Sequence, residues 1–305
     1  MSDLARAEAI LREACGERLR PHFAMAPLTT FRVGGPAALY LEPESESDLE
    51  AAGRAFTQAA VPVVVLGRGS NVLVADGGFP GLVLRLGRSY RWSARDGRDL
   101  TAGGAMPLPA LAGVALRHRL TGLEFGVAIP ATLGGAVRMN AGAHGHEMAE
   151  VTASVQVFRL TEGGVATVPA ADAGFGYRRS DLGEDAVVVG ARLRLAPGDP
   201  SAIRILMEEA RAWRRATQPL AEPNCGSVFR NPEGDHAARL IEAAGAKGRR
   251  IGGASVSTKH ANFIVADPGA RAADIVALIA EVRALVEARE GVRLEPEVQL
   301  VGTFT

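Results

Sequence analysis

The chain has 305 residues, 47% hydrophobic and 22% charged, long enough for two compact units because single cores seldom grow far past about 250 residues. Lys+Arg and Asp+Glu both number 34, which excludes the basic footprint expected of a protein that binds nucleic acid or an anionic membrane. Two cysteines, Cys15 and Cys225, give no CxxC pair and no disulfide framework, so a reducing cytoplasm is expected.

Met1 to Arg20 mixes acids and bases and has no apolar h-region, so no secretory signal is expected there. Ser2 is placed to cap a short helix bearing Leu4, Ile10 and Leu11. Ala37–Leu41 reads as a strand. Ser47-Asp48-Leu49-Glu50 reads as a capping box opening a helix to Ala59, and Val61–Leu66 as a second strand, together one βαβ crossover. Short strands are expected at Val72–Ala75 and Leu82–Leu86, and a helix over Pro107–Leu120 with Leu108, Leu111 and Leu116 inward. Val151–Leu160, Val165–Val168 and Ala186–Leu195 alternate with period two and predict antiparallel strands.

Asp199-Pro200 opens a helix with proline at its first position and Ile203, Leu206, Met207, Ala210 and Trp213 on its inner face. Beyond it come a helix at Ala237–Ala244 stopped by Gly245, a strand near Asn262–Val265, a helix from Ala272 to Ala288 and a strand at Val298–Val301. No apolar run approaches the roughly 20 residues of a membrane helix. The class is α+β. The expected divisions are an N-terminal helical arm at 1–26, a larger domain at 27–198 and a smaller one at 199–305.

Thirty-six glycines are well above the average of about 7%, and positions without Cβ let backbone pass close to a bulky polyanion. Val63-Val64-Val65-Leu66-Gly67-Arg68-Gly69-Ser70-Asn71 runs a strand into G-x-G. The third glycine of the dinucleotide fingerprint is missing, and Val72-Leu73-Val74 continues as a strand rather than a helix. What survives is a turn whose clustered N–H groups suit an anion. A second loop, Ile129-Pro130-Ala131-Thr132-Leu133-Gly134-Gly135, would clasp a pyrophosphate from the other side. Cys225-Gly226-Ser227-Val228-Phe229-Arg230-Asn231-Pro232 is a turn presenting a hydroxyl, a guanidinium and an amide, and Leu294-Glu295-Pro296-Glu297-Val298 places two carboxylates in an apolar run. A hydroxyl and a carboxylate are groups that deliver a proton and steady a developing charge. His144 and His146 lack carboxylate support, and no metal is expected.

The two glycine loops resemble the FAD-holding loops of p-cresol methylhydroxylase-type flavoproteins. Thr30-Phe31-Arg32-Val33-Gly34-Gly35-Pro36-Ala37, Tyr177-Arg178-Arg179-Ser180, the Gly226–Pro232 turn and Lys259-His260-Ala261-Asn262-Phe263 narrow this. The set, from about Thr29 to Gly302, is similar to the UDP-N-acetylenolpyruvoylglucosamine reductase family, in its shorter form without an inserted tyrosine-bearing loop.

The resemblance implies non-covalent FAD across residues 27–198, NADPH as hydride donor, and a UDP-sugar enolpyruvyl ether as substrate, with no obligate protein partner. By position it assigns Ser227 as proton donor, Arg178 to the enolate carboxylate and Glu297 beside them. Period two puts Glu295 on the same face as Glu297, so the choice between them rests on the resemblance alone. Cofactor contacts are carried onto Gly67, Arg68, Gly69, Ser70, Asn71, Ile129, Pro130, Thr132, Gly134, Gly135, Asn140 and Gly142. Substrate contacts fall on Tyr177, Asn231 and His260, and Gln218 sits near the family's nicotinamide-phosphate contact. Ala131 stands where the family usually has glycine, and Glu290 where it usually has an aromatic. An oxidase of the same superfamily acting on an alcohol or sugar acid often attaches its flavin through a histidine or cysteine on the first loop, which Arg68, Ser70 and Asn71 do not supply. A silent paralogue would be expected to lack Ser227, Arg178 or Glu297, and all three are present.

Overall fold

The computed structural model describes residues 2–304 and divides into two compact units. The first comprises Met1–Pro21, Leu39–Arg68 and Gly81–Trp213; the second comprises His22–Ala38, Gly69–Pro80 and Arg214–Thr305. The units are thus interleaved in sequence, where the expected divisions at residues 26 and 198 were continuous.

In the first unit the helix Asp3–Cys15 starts at Ser2, whose hydroxyl accepts the Ala5 N–H at 3.4 Å. It buries Ala7, Leu11 and Cys15 in one core with Leu49, Ala52 and Ala55 of the helix Glu46–Ala59. The cap of that second helix is Ser45, two residues before the expected Ser47. Ser45 Oγ takes the Asp48 N–H while the Asp48 carboxylate takes the Ser45 N–H. Asp48 wins over Glu50 as the reciprocating acid because Arg18 and the Glu44 N–H also converge on it. The strand Val63–Val65 lies parallel to Phe79–Leu84, with Val63, Val64 and Val65 opposite Leu82, Val83 and Leu84. Phe79–Leu84 therefore sits between the two strands of the expected crossover.

The three expected antiparallel strands form as Thr152–Arg159, Gly164–Pro169 and Ala186–Arg194. Their sheet continues onto Asp99–Gly103 and Ser93–Asp96, a hairpin the hydrophobic pattern did not announce because Ser-Ala-Arg-Asp carries no apolar alternation. Against this sheet pack the helices Leu108–Arg117 and Leu133–Arg138. Asp199 caps the helix Pro200–Thr217 as expected, taking the N–H groups of Ser201 and Ala202 at 3.3 and 3.2 Å. Only part of its expected inner face is inward. Ile203, Met207 and Ala210 are buried, but Leu206 and Trp213 are each 50% exposed. At 100° per residue, 203, 207 and 210 form one line and 206 and 213 fall beyond its edge.

The second unit shows why the division is interleaved. Phe31, Val33 and Leu73 share a core with Val228, Phe229, Ile241 and Ile275 from the C-terminal third. The strand Gln299–Val301 pairs in parallel with Val72–Val74, Gln299 opposite Val72 and Val301 opposite Val74. Asp76 caps the helix Ala272–Glu290, its two oxygens taking the N–H groups of Ala272 and Ala273 at 2.7 and 3.0 Å. That helix buries Ile275, Leu278, Ile279, Val282 and Val286 at three–four spacing. It runs through Glu290, half-buried, and Gly291 closes it at φ +69°, so the departure at 290 leaves the helix intact. Arg250–Ile251, Ala254–Val256 and Ile264–Ala266 form a small antiparallel sheet, of which only the last lay near an expected strand.

Candidate active site

The glycine loops are the first component. Gly67 lies so close to the second loop that a Cβ on it would fall 2.8 Å from Thr132 Oγ1, so Gly67 and Thr132 abut within the first unit. Thr132 is the N-cap of Leu133–Arg138, its hydroxyl accepting the Gly135 N–H at 3.3 Å. Gly69 adopts φ +62°, and a Cβ there would lie 2.3 Å from the Leu28 carbonyl. Its own carbonyl accepts the Thr30 N–H at 3.0 Å and the Thr30 hydroxyl at 3.3 Å, which ties the Thr30–Ala37 motif to this loop. Within the first unit the missing Cβ of Gly67 leaves room for a bulky anionic group beside the Thr132 cap, while the N–H groups of Leu133, Gly134 and Gly135 are taken by Met106, Gly104 and Thr132. The Ala131 methyl packs with Ile129 against the first unit's core, so the departure at 131 is absorbed by packing.

Two expected cofactor contacts are differently engaged. Asn71 donates its amide to the Glu297 carbonyl at 3.2 Å, and its own carbonyl accepts the Gln299 N–H at 3.0 Å. Asn140 is fully buried, donating to the Gly176 carbonyl at 3.0 Å and accepting the Ala149 N–H at 2.8 Å. Both are held by backbone because their loops must be fastened to distant segments, a demand no local pattern signals.

The second component is the Ser227 turn. Asn224 Oδ1 accepts the Gly226 N–H at 2.9 Å, and Gly226 adopts φ +81°, which swings the chain so that Ser227 follows a sharp corner. After Ser227 the chain bends again at Val228 and runs between two neighbours. On one side the Glu297 N–H donates to the Val228 carbonyl at 2.7 Å and the Arg230 N–H to the Glu295 carbonyl at 2.9 Å. On the other, Asn262 grips Phe229 from both ends of its carboxamide, accepting the Phe229 N–H at 2.9 Å and donating to its carbonyl at 2.8 Å. Asn262 is 3% exposed and had no expected role; a buried asparagine inside a recurrent motif was the available signal.

Ser227 and Glu297 are thereby brought into one small structure. Burial first, and then the negative charge of Glu297, push the Cys225 thiol up, so it stays protonated and is no nucleophile. Glu297 is half-buried and Glu295 exposed, which separates two carboxylates that parity could not.

Asn231 Oδ1 accepts the Ala237 N–H at 3.1 Å and so caps the helix Ala237–Ala243 from six residues upstream. His260 Nδ1 accepts the Asn262 N–H at 3.3 Å, its ring set edge-on to Phe263 at 4.7 Å. Burial pushes its pKa down, so the ring is neutral near pH 7 with its proton on Nε2. Gln218 Oε1 accepts from Arg214 Nε at 3.0 Å. Tyr177 and Arg178 belong to the first unit, at the tip of a tight turn closed by Gly176 and Arg179, with the guanidinium 4.9 Å from the tyrosine ring centre. His144 and His146 are engaged separately, His144 edge-on to Trp213 and His146 with the Glu150 carboxylate at 2.7 Å.

An α+β fold with two abutting glycine loops defines the class as an FAD-binding oxidoreductase of the p-cresol methylhydroxylase type, and an FAD-binding domain profile matches residues 37–168. The profile for the C-terminal domain of UDP-N-acetylenolpyruvoylglucosamine reductase matches residues 218–301. Relatives carrying that enzyme's name include one from Anaeromyxobacter dehalogenans, 46% identical and covering 97% of this chain and 89% of its own. Another, from Symbiobacterium thermophilum, is 45% identical and covers 99% and 98%. The crystal structure of the Thermus caldophilus enzyme superposes with a TM-score of 0.81 at 36% identity, covering 93% of this chain and 99% of that one. The chain belongs to the UDP-N-acetylenolpyruvoylglucosamine reductase family. It is an FAD-dependent enzyme that uses NADPH and acts on a small UDP-sugar in peptidoglycan precursor synthesis. No helix among the described residues is long and apolar enough to cross a membrane.

Proposed function

We propose that Ser227, Glu297 and Arg178 carry the reduction of the enolpyruvyl ether to the lactyl ether. When bound against the glycine loops, FAD supplies the relay of hydride from NADPH to the terminal vinyl carbon of the substrate. Negative charge then builds on the internal carbon and spreads into the adjoining carboxylate as an enolate. Arg178 meets that carboxylate, a task suited to a planar guanidinium fork. The Ser227 hydroxyl gives its proton to the internal carbon, completing the C–H bond, and regains a proton from solvent. Glu297 sits beside the turn as the charged partner of this transfer.

The observation that carries the reading is the pinned turn: the Glu297 N–H bonded to the Val228 carbonyl and Phe229 gripped by Asn262 fasten the corner at Ser227 to the segment that bears Glu297. Preorganisation of this kind is what a proton donor needs. Gly67, Arg68, Gly69, Ser70, Ile129, Pro130, Thr132, Gly134, Gly135 and Gly142 make the cofactor contacts in this reading, while Asn71 and Asn140 support from behind. Tyr177, Asn231, His260 and Gln218 face the UDP-sugar or the nicotinamide phosphate. Neutral His260 offers Nε2–H as a donor. Most of these cofactor contacts fall in the larger unit and most of the substrate contacts in the smaller one, with Gly69 and Ser70 in the smaller and Tyr177 and Arg178 in the larger. The enzyme works in the cytoplasm without an obligate protein partner, a location supported by its two unpaired cysteines.

Ser227→Ala tests the role of the hydroxyl. Reduction of the flavin by NADPH should stay close to the parent rate, while reoxidation by the enolpyruvyl substrate falls by about a hundredfold to ten-thousandfold, the usual worth of a positioned general acid. Equal losses in both half-reactions would remove the proton-donor role.

A further inference from the structure

We propose that Asn140 is a positioning residue for Arg178: its carboxamide, helped by the hydroxyl of Ser180, holds the two-residue turn that presents the guanidinium. The inference rests on the reading of Arg178 as partner of the enolate carboxylate.

The turn is minimal. Gly176 and Arg179 exchange N–H···O bonds of 3.0 and 3.1 Å, leaving only Tyr177 and Arg178 at the tip. Arg178 sits at φ +57°, a left-handed conformation that a residue with a Cβ keeps only where its surroundings over-determine it. Three bonds from this turn reach a single five-residue segment. Ser180 Oγ donates to the Arg138 carbonyl at 2.8 Å, Asn140 Nδ2 donates to the Gly176 carbonyl at 3.0 Å, and Arg178 Nη2 donates to the Gly142 carbonyl at 3.2 Å.

Asn140 is the middle tie and the one buried from solvent. Its Oδ1 takes the Ala149 N–H at 2.8 Å, which fixes the orientation of the amide: one end must accept and the other must donate. Its own φ of +40° lies in a region asparagine tolerates better than most residues. The segment it belongs to is anchored by Ala141 N–H to Ala136 O at 2.8 Å and Met148 N–H to Ala141 O at 3.1 Å. That segment directly follows the helix whose N-cap is Thr132 of the second glycine loop. One short run of chain therefore carries the flavin loop at its start and the fastening of Arg178 at its end, so the two are held in register.

Asn140→Asp separates the two ends of the amide. It is nearly isosteric and keeps the acceptor for Ala149, but sets a carboxylate oxygen against the Gly176 carbonyl. With NADPH and UDP-N-acetylglucosamine enolpyruvate as reactants, reoxidation should slow by about tenfold to a hundredfold beyond any change in flavin reduction, the loss expected for a misplaced group. Hydrogen exchange over residues 176–180 should quicken. In an Arg178→Ala background the same change should cost nothing further, since a residue acting through Arg178 has nothing left to position. Ser180→Ala, which cuts a separate tie, should give the same non-additive pattern if Asn140→Asp does not accumulate as folded protein. Equal slowing of both half-reactions, or losses that multiply with those of Arg178→Ala, would overturn the proposal. Arg178→Ala reoxidised at the parent rate would instead remove the Arg178 reading, and the proposal with it.

Discussion

At the scale of single residues, the two terminal carboxylates differ by environment rather than by chemistry. Both lie on one extended segment, two residues apart. Glu297 is half-buried, its backbone bonded to Val228 and Asn71, while Glu295 is exposed and lends only its carbonyl, to Arg230. A charge acts more strongly where water is partly excluded. Glu297→Gln should therefore spare flavin reduction and slow reoxidation by at least tenfold, about 1.4 kcal/mol of barrier, whereas Glu295→Gln should behave as the parent. Separate measurement of the two half-reactions in each variant checks this, and a larger defect in Glu295→Gln would reverse the assignment. Asn262 teaches the same lesson from the structural side. Its type and motif were visible in the sequence, but its grip on Phe229 depends on a partner 33 positions away.

At the scale of elements, the Asp48 cluster ties the first two long helices together. Burial by itself would raise this carboxyl, but Arg18 and the N–H groups of Glu44 and Ser45 outweigh it and hold its pKa below the ordinary value of 3.8. A carboxyl depressed in the folded state adds stability that is present above the unfolded value and lost as pH falls through the folded one. Asp48→Asn should cost about 2 kcal/mol at neutral pH, in the range of hydrogen bonds to a charged group. The gap between variant and parent should stay constant down to about pH 5 and close below it. Denaturant unfolding from pH 3 to pH 7 measures this; a gap independent of pH would contradict it. The capping box itself was legible, though two residues out of place, because Ser45-x-x-Asp48 and Ser47-x-x-Glu50 have the same spacing. Arg18, 30 positions upstream, and the Glu44 N–H decide between them. The hairpin Ser93–Gly103 was not legible because its outer strand is polar and exposed.

At the scale of the whole molecule, the class and the motif set were readable because glycine loops, the Ser227 turn and the terminal carboxylates each occupy a contiguous stretch. The interleaving of the two units was not readable. It arises from pairings such as Gln299 with Val72 and from Asp76 capping a helix that starts at residue 272, contacts that no local periodicity encodes. The same long-range pattern bonds Asn71 of the first glycine loop to Glu297, 226 positions later. The end of the first glycine loop and the segment that carries Glu297 are thus tied together directly. Stopped-flow absorbance of the purified flavoprotein tests the relay of hydride from NADPH to an enolpyruvyl UDP-sugar. NADPH should bleach the flavin, and UDP-N-acetylglucosamine enolpyruvate should rapidly restore its colour. Bleaching that this substrate does not reverse would contradict the relay.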